Sequence, residues 1–180
     1  MFSFPILFRA NAAYVARSLR RLGVHDRDVE DVTQEVFVAV HAHLAELDES
    51  RPIKPWLFAF AFRAAANYRR LARHRHEVSE GAGDEPEGQG PAADQALDDA
   101  RRAARLMSAL DGLDLEHRAA IILVDLEQVA PKEAAEGLGI PLNTLYSRVR
   151  NGREKLRRTL LGGDGGSPKS EHSELQGGAP

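Results

Sequence analysis

Apolar residues recur along the chain at helical spacing in several separate runs, and nowhere at the alternating spacing of a strand. Residues 6–22 carry Phe8, Ala12, Val15, Leu19 and Leu22 on one face, with Gly23 as the stop signal. Residues 26–47 carry Val29, Val32, Val36, Val40, Leu44 and Leu47. Asp26, Asp28, Glu30 and Asp31 crowd the first turns of that run, where carboxylates offset the positive end of a helix dipole. The stretch 48–55, DESRPIKP, has two prolines and no period, and reads as a loop. A third helix is predicted over residues 56–76, with Leu57, Phe60, Ala61, Ala64, Tyr68 and Leu71 along one face. Helicity resumes near residue 96 and runs to about 113, and a short helix follows over 115–126 with Ala119, Ile122, Leu123 and Leu126 inward.

The last periodic run, 131–160, predicts two helices around a tight turn. Pro131 suits the first position of a helix, where its missing N–H has no partner to lose. Gly137 and Gly139 close that helix, Pro141 resets the chain, and a second helix begins near 142–143. Leu145, Val149, Leu156 and Leu160 share its apolar face with Gly152, and the other faces are polar and rich in arginine. Helix, glycine-bearing turn, and a helix with an apolar back and a basic front is the pattern of a helix-turn-helix DNA reader. A surface hairpin with a solvated basic face would give the same pattern.

These runs predict an all-α chain of two small helical domains. The domains are residues 1–77 and 101–161, joined by a flexible acidic linker over 78–100 and followed by a disordered tail over 162–180. The linker is glycine-rich and nearly free of large apolar side chains, so it buries too little to offset its ordering entropy. The tail is rich in glycine and serine.

Charge sharpens this division. The chain of 180 residues has a net charge of −3, but the charge is segregated. Residues 128–160 hold seven lysines and arginines against three glutamates, whereas 78–100 hold seven carboxylates and no basic residue. Local charge, not the average, meets a polyanionic partner. There is no cysteine, which excludes disulfides and thiolate chemistry. No apolar run reaches the ~18 residues of a membrane span. The apolar start has no basic residue before it and leads into an amphipathic helix, so a signal peptide is not expected and the expected compartment is the cytoplasm.

Three clusters are candidates for chemistry. On the third helix, Trp56, Phe58, Phe60, Phe62 and Tyr68 are interleaved with Arg63, Arg69, Arg70, Arg73 and Arg75. Aromatics beside arginines suit unstacked bases and their phosphates. For Trp56 and Phe60, helix-to-helix packing is the better reading. Phe58 and Phe62 lie off the main stripe. Asp28, Glu30, Asp31, Gln34 and Glu35 form either a solvated helix start or a polar docking face for a protein. Their divergent directions argue against metal ligation or acid–base catalysis. His41 with His43, and His74 with His76, are two apart and share no helix face, so no metal or other cofactor is expected. No phosphate-binding glycine loop or nucleophile elbow occurs, and no enzyme is expected.

Taken in order, three stretches resemble one family. DVEDVTQEVFVAVHAHL (28–44) resembles the region 2 helix of sigma factors of the sigma-70 family, with its D-x-E-D-x-x-Q-E-x-F pattern. WLFAFAFRAAANYRRLARHRHE (56–77) resembles the stretch that follows it, and EAAEGLGIPLNTLYSRVRNGREKLRRTL (133–160) resembles region 4. Two such domains with only a short linker between them resemble the extracytoplasmic-function (ECF) subfamily. Phe60, Arg63, Asn67, Ala134 and Asn143 depart from the residues usual at their positions, so no promoter sequence can be carried over.

The resemblance implies a subunit that binds core RNA polymerase, at the β′ coiled coil and the β flap, and directs it to promoter DNA, with an anti-sigma factor as a further partner. Asp28, Asp31, Gln34, Glu35 and Phe37 match the polymerase-docking positions. Arg63, Asn67, Arg70 and Arg73, with the 48–55 loop, match those that hold the −10 element and its melted strand. In the helix-turn-helix, Asn143, Thr144, Ser147 and Arg148 are expected at base edges of the −35 element, and Arg150, Arg153, Lys155 and Arg157 at phosphates or solvent. The rival expectation is a stand-alone helix-turn-helix regulator that binds duplex DNA without polymerase.

Overall fold

The structure is a computed structural model. It describes residues 3–78 and 94–162, without the side chains of Arg73, of residues 75–78 and 94–99, and of Gly162. The tail and most of the expected linker lie outside the described residues. Those residues form α1 (Phe4–Leu22), α2 (Val29–Ala42), α3 (Ile53–Val78), α4 (Asp94–Asp111), α5 (Leu115–Ile121), α6 (Pro131–Leu138) and α7 (Leu142–Gly162). Short 3₁₀ turns at Asp26–Asp28 and Leu44–Glu46 flank α2, and a π turn, Ile122–Leu126, extends α5. No strand occurs among the described residues.

α1, α2 and α3 pack on one another, burying Leu7, Val15, Leu19, Val36, Leu57 and Phe58. α1 ends where expected: Gly23 takes a left-handed conformation at φ 96°, and Val24 donates to the Leu19 carbonyl at 3.0 Å. α5 and α7 form the heart of the second half, with Leu110, Ile121, Leu123 and Leu145 enclosed. Gly152 is what lets α7 lie this close to α5, because a Cβ there would meet Ile121 Cγ1 at 2.8 Å.

Three boundaries differ from the pattern-based reading. α3 starts at Ile53, so residues 53–55 of the expected loop are helical. Proline within a first turn loses no hydrogen bond, and Pro55 therefore does not delay the start. α4 starts at Asp94, inside the stretch assigned to the linker. The sequence from Ala96 onward is rich in alanine, leucine and arginine, which are strong helix formers. Gly137 does not close α6. Gly139 does, at φ 66°, and Gly137 lies within the helix, facing Pro55.

The two halves also touch. α6 packs on α3, and α5 on α1. Phe58 explains why α3 has apolar residues on more than one face. It is fully buried, and Phe60 is nearly so, because α3 has neighbours on two sides. Phe58 therefore belongs to the core and is not available to stack on a base. Phe62 is half-buried against the same core.

Candidate nucleic-acid and partner surfaces

Asx-type and ion-pair contacts hold the loop before α3. Asp48 Oδ1 accepts from the Ser50 amide at 2.9 Å and from its hydroxyl at 2.6 Å, which keeps the Asp48 carboxyl below its ordinary pKa. Arg51 bridges Asp48 at 3.2 Å and Glu136 of α6 at 3.0 Å. Along α3, Arg63, Asn67 and Arg70 lie exposed on one face, four and three residues apart. Arg63 Nε donates to the Ala59 carbonyl at 3.2 Å, and its guanidinium lies 4.8 Å from the Phe60 ring centre. Arg70 donates to Asn67 Oδ1 at 2.9 Å. Phe60 is held by Trp56, at 4.9 Å between ring centres, and by His43 at 5.6 Å, so both aromatics serve packing. The Arg73 side chain lies outside the described residues. Arg69 points inward, with a buried Nη1 near Gly23, and leaves the basic face.

On α2 the docking candidates separate. Asp31, Gln34 and Glu35 are exposed along one ridge, and Val38, 71% exposed, continues it. Phe37 does not join them. It is 2% exposed and packs edge-on against Phe8 at 4.7 Å and Phe4 at 6.4 Å. The ring is packed inward against α1 and supports α2 from within, beside the exposed ridge and not on it. Asp28 is tied as well. It is half-buried, and its Oδ2 accepts from the Tyr68 hydroxyl at 2.6 Å, joining the start of α2 to α3. Desolvation, then that carboxylate, push the Tyr68 pKa up.

In α7, Leu145, Val149 and Gly152 face the core. The opposite ridge is Asn143, Ser147, Arg150 and Asn151, all exposed. Thr144 and Arg148 are half-buried on one flank, so Arg148 is not central to the ridge as expected, whereas Arg150 is. Arg153 and Lys155 are occupied by carboxylates of their own half. Arg153 pairs with Asp125 at 2.6 Å, and Lys155 with Asp114 at 2.5 Å. The Asp114 carboxyl is held below its ordinary range by Lys155. Arg157 pairs with Glu154 at 2.9 Å. Among the described residues no cluster of three or more metal-ligating side chains occurs, and no helix is long and apolar enough to cross a membrane.

Three further residues stand out in the structure: Val38, Tyr146 and Arg118. Val38 and Tyr146 each lie on an exposed ridge, and their spacing shows it: Tyr146, 53% exposed, is three residues from Asn143 and four from Arg150. Arg118 had no such signal. It is 1% exposed at the junction of the halves, with Nη1 at 2.7 Å from Asp111 and Nε donating to the Arg21 carbonyl.

Comparison with known proteins matches a separate family to each half of the chain. The sigma-70 region 2 family matches residues 7–75, and the sigma-70 region 4 family matches residues 103–156. The chain is 30% identical over 163 residues to the RNA polymerase sigma factor NccH of Alcaligenes xylosoxydans xylosoxydans, covering 88% of this chain and 87% of NccH. It is 34% identical over 159 residues to the ECF RNA polymerase sigma factor SigE of Mycolicibacterium smegmatis, covering 88% of this chain but only 62% of SigE. The solved structure of CnrH in complex with the cytosolic domain of CnrY is 28% identical, with a TM-score of 0.63 over 90% of this chain and 89% of CnrH. With region 2 on α1–α3, region 4 on α4–α7 and relatives matched across both, the chain belongs to the sigma-70 family of RNA polymerase sigma factors, in its ECF group.

Proposed function

We propose that this chain binds core RNA polymerase through the α2 ridge, with its region 4 half seated at the β flap, and brings the enzyme to promoter DNA. Bond formation stays with the polymerase, and this chain contributes recognition and strand capture. The carrying observation is the α7 ridge of Asn143, Ser147 and Arg150 standing opposite a helix face locked into the core by Leu145 and Val149. A rigid helix backed in this way presents its polar edge to the major groove of the −35 element. Tyr146 extends the edge on one side, and Thr144 and Arg148 extend it on the other. Arg153, Lys155 and Arg157 reach phosphates only by leaving their carboxylates.

The −10 element falls to the other half. Arg63, Asn67, Arg70 and Arg73 hold the backbone of the opening strand, and bases leave the stack beside the loop that Asp48 and Ser50 shape. Asp31, Gln34 and Glu35 dock on the β′ coiled coil. All of this takes place in the cytoplasm, where polymerase and chromosome are. CnrH is held in its structure by the cytosolic domain of CnrY, and a protein partner, an anti-sigma factor, is proposed for this chain as well.

Reconstitution tests the reading. Core polymerase with this protein initiates transcripts at defined start sites, and core alone does not. Tight, sequence-specific duplex binding by the free protein without any effect on core would favour the stand-alone regulator. Within the reading, Arg150→Ala loses ~1–3 kcal/mol at one or two −35 base pairs in a competition series. A loss spread evenly over all sequences would make Arg150 a phosphate contact instead.

A further inference from the structure

We propose that Arg69 and Arg118 form an anion site beside Gly23, where their two guanidinium groups together hold a small oxyanion of the phosphate class. Arg69 comes from α3 and Arg118 from α5, yet both side chains end at one point. Gly23 marks it. A Cβ there would lie 3.2 Å from Arg118 Nη1 and 3.6 Å from Arg69 Nη1. A glycine in the left-handed conformation, at φ 96°, leaves room for both groups.

Their surroundings do not neutralise these cations. Arg118 is 1% exposed. Its Nε donates to the Arg21 carbonyl, and its Nη1 lies 2.7 Å from Asp111, a carboxylate that is itself 63% exposed. Its Nη2 is buried with no hydrogen-bond partner among the described residues. Arg69 is half-buried, its Nη1 is buried and unpartnered in the same way, and no carboxylate pairs with it among the described residues. Burial pushes the Arg118 pKa down. Asp111 opposes that shift, and the nearby Arg69 adds to it. A buried donor without a partner loses its hydration and recovers nothing, and a buried charge loses more.

One bound oxyanion removes both defects. It accepts from two guanidinium forks at once and sets negative charge between like charges. A phosphate group carries close to two charges near neutral pH, which suits two guanidinium groups, whereas a carboxylate carries one. The way in is on the same side. Arg69, Arg70 and His74 line a cavity of about 1040 Å³ from α3, and Asp114 and Glu116 line it from the start of α5. Asp114 is engaged by Lys155 at 2.5 Å, and Glu116 is exposed to water. The cavity leaves room for whatever the phosphate is attached to. Because Arg69 and Arg118 belong to different halves, an anion held by both is bound only while the halves touch. By linkage, it and any partner that parts them oppose each other.

The test uses the full free chain in chloride buffer at fixed ionic strength, titrated in a calorimeter with inorganic phosphate, inorganic diphosphate, ADP or acetate. One saturable site is expected, tighter for phosphate than for acetate. A gain for ADP over inorganic diphosphate identifies a nucleotide as the ligand, and no gain identifies the free anion. Arg69→Met keeps the apolar stem without the charge and is expected to weaken phosphate by roughly tenfold or more. Arg9→Gln, at an exposed arginine toward the other end of α1, is expected to leave it unchanged. Melting gives a separate readout. In chloride, Arg69→Met is expected to melt no lower than the unmutated chain, because it frees Arg118 of a like charge. In phosphate the unmutated chain is expected to gain more. Salts excluded from the surface stabilise both chains alike, so the difference reports the site. Heats that never saturate, acetate binding as tightly as phosphate, or full phosphate affinity in Arg69→Met overturns the proposal. Should Arg69→Met unfold, Arg69→Lys replaces it: it keeps the charge but not the fork, and full phosphate affinity there overturns the two-fork site as well.

Discussion

Core polymerase is expected to release this protein when Asp31 and Glu35 are changed together to arginine. Both carboxylates stand exposed on the α2 ridge, with Gln34 and Val38 between and beyond them. They are too exposed to hold up the fold, so reversing them alters the surface and little else. Asp31 lies in the first turn of α2, and its loss removes a favourable dipole term of ~0.3–1 kcal/mol. At a docked interface the effect is far larger. Like charges set against each other in a complex cost several kcal/mol, enough to lower the affinity by two orders of magnitude or more. Competition against the unmutated protein for core measures this, with the melting midpoint as control. Equal affinity in the double variant would remove the α2 ridge from the interface. Phe37 makes the complementary case: substituting it should disturb stability, because its ring faces Phe4 and Phe8.

Phe58→Ala is expected to destabilise the region 2 half by ~3–5 kcal/mol. Its ring is fully buried between α3 and its neighbours, so truncation leaves a cavity that packed helices fill only in part. A loss of this size is a large fraction of the stability of a small domain. Chemical denaturation followed by circular dichroism reads it directly. A residue that stacked on bases would behave in the opposite way, with normal melting and weakened capture of a single strand. Unchanged stability with reduced strand binding would therefore restore Phe58 to the nucleic-acid surface.

Much of this was legible in the chain because the helices are amphipathic and their ends carry local signals. Gly23 and Gly139 stop helices as their sequence positions suggest, since both need the left-handed conformation. Leu145, Val149 and Gly152 turn inward as the apolar stripe of 142–160 indicated. α3 was harder to read. A single stripe describes a helix with one covered face, whereas α3 has the α1–α2 pair on one side and α6 on another, so Phe58 looked misplaced. Not every residue of the acidic cluster lies on the exposed ridge, for a related reason. Asp28, Asp31 and Phe37 are near in sequence, but Phe37 turns inward, and a Tyr68 hydroxyl 40 residues away claims Asp28. Contacts between the halves left no local trace at all. Arg21 and Glu127 are 106 residues apart, and neither stands out from the many charged residues around it.

The π turn at Ile122–Leu126 does more than lengthen α5. Its wider winding, with the Glu127 amide donating to the Ile122 carbonyl at 2.9 Å, sends Asp125 toward Arg153 on α7 and Glu127 toward Arg21 on α1. One five-residue segment thus sets the phase of two carboxylates that serve different purposes: one fixes the reading helix within its own half, and the other reaches across to the far half. Losing or gaining a single residue between 122 and 126 would slide both carboxylates off their arginines together.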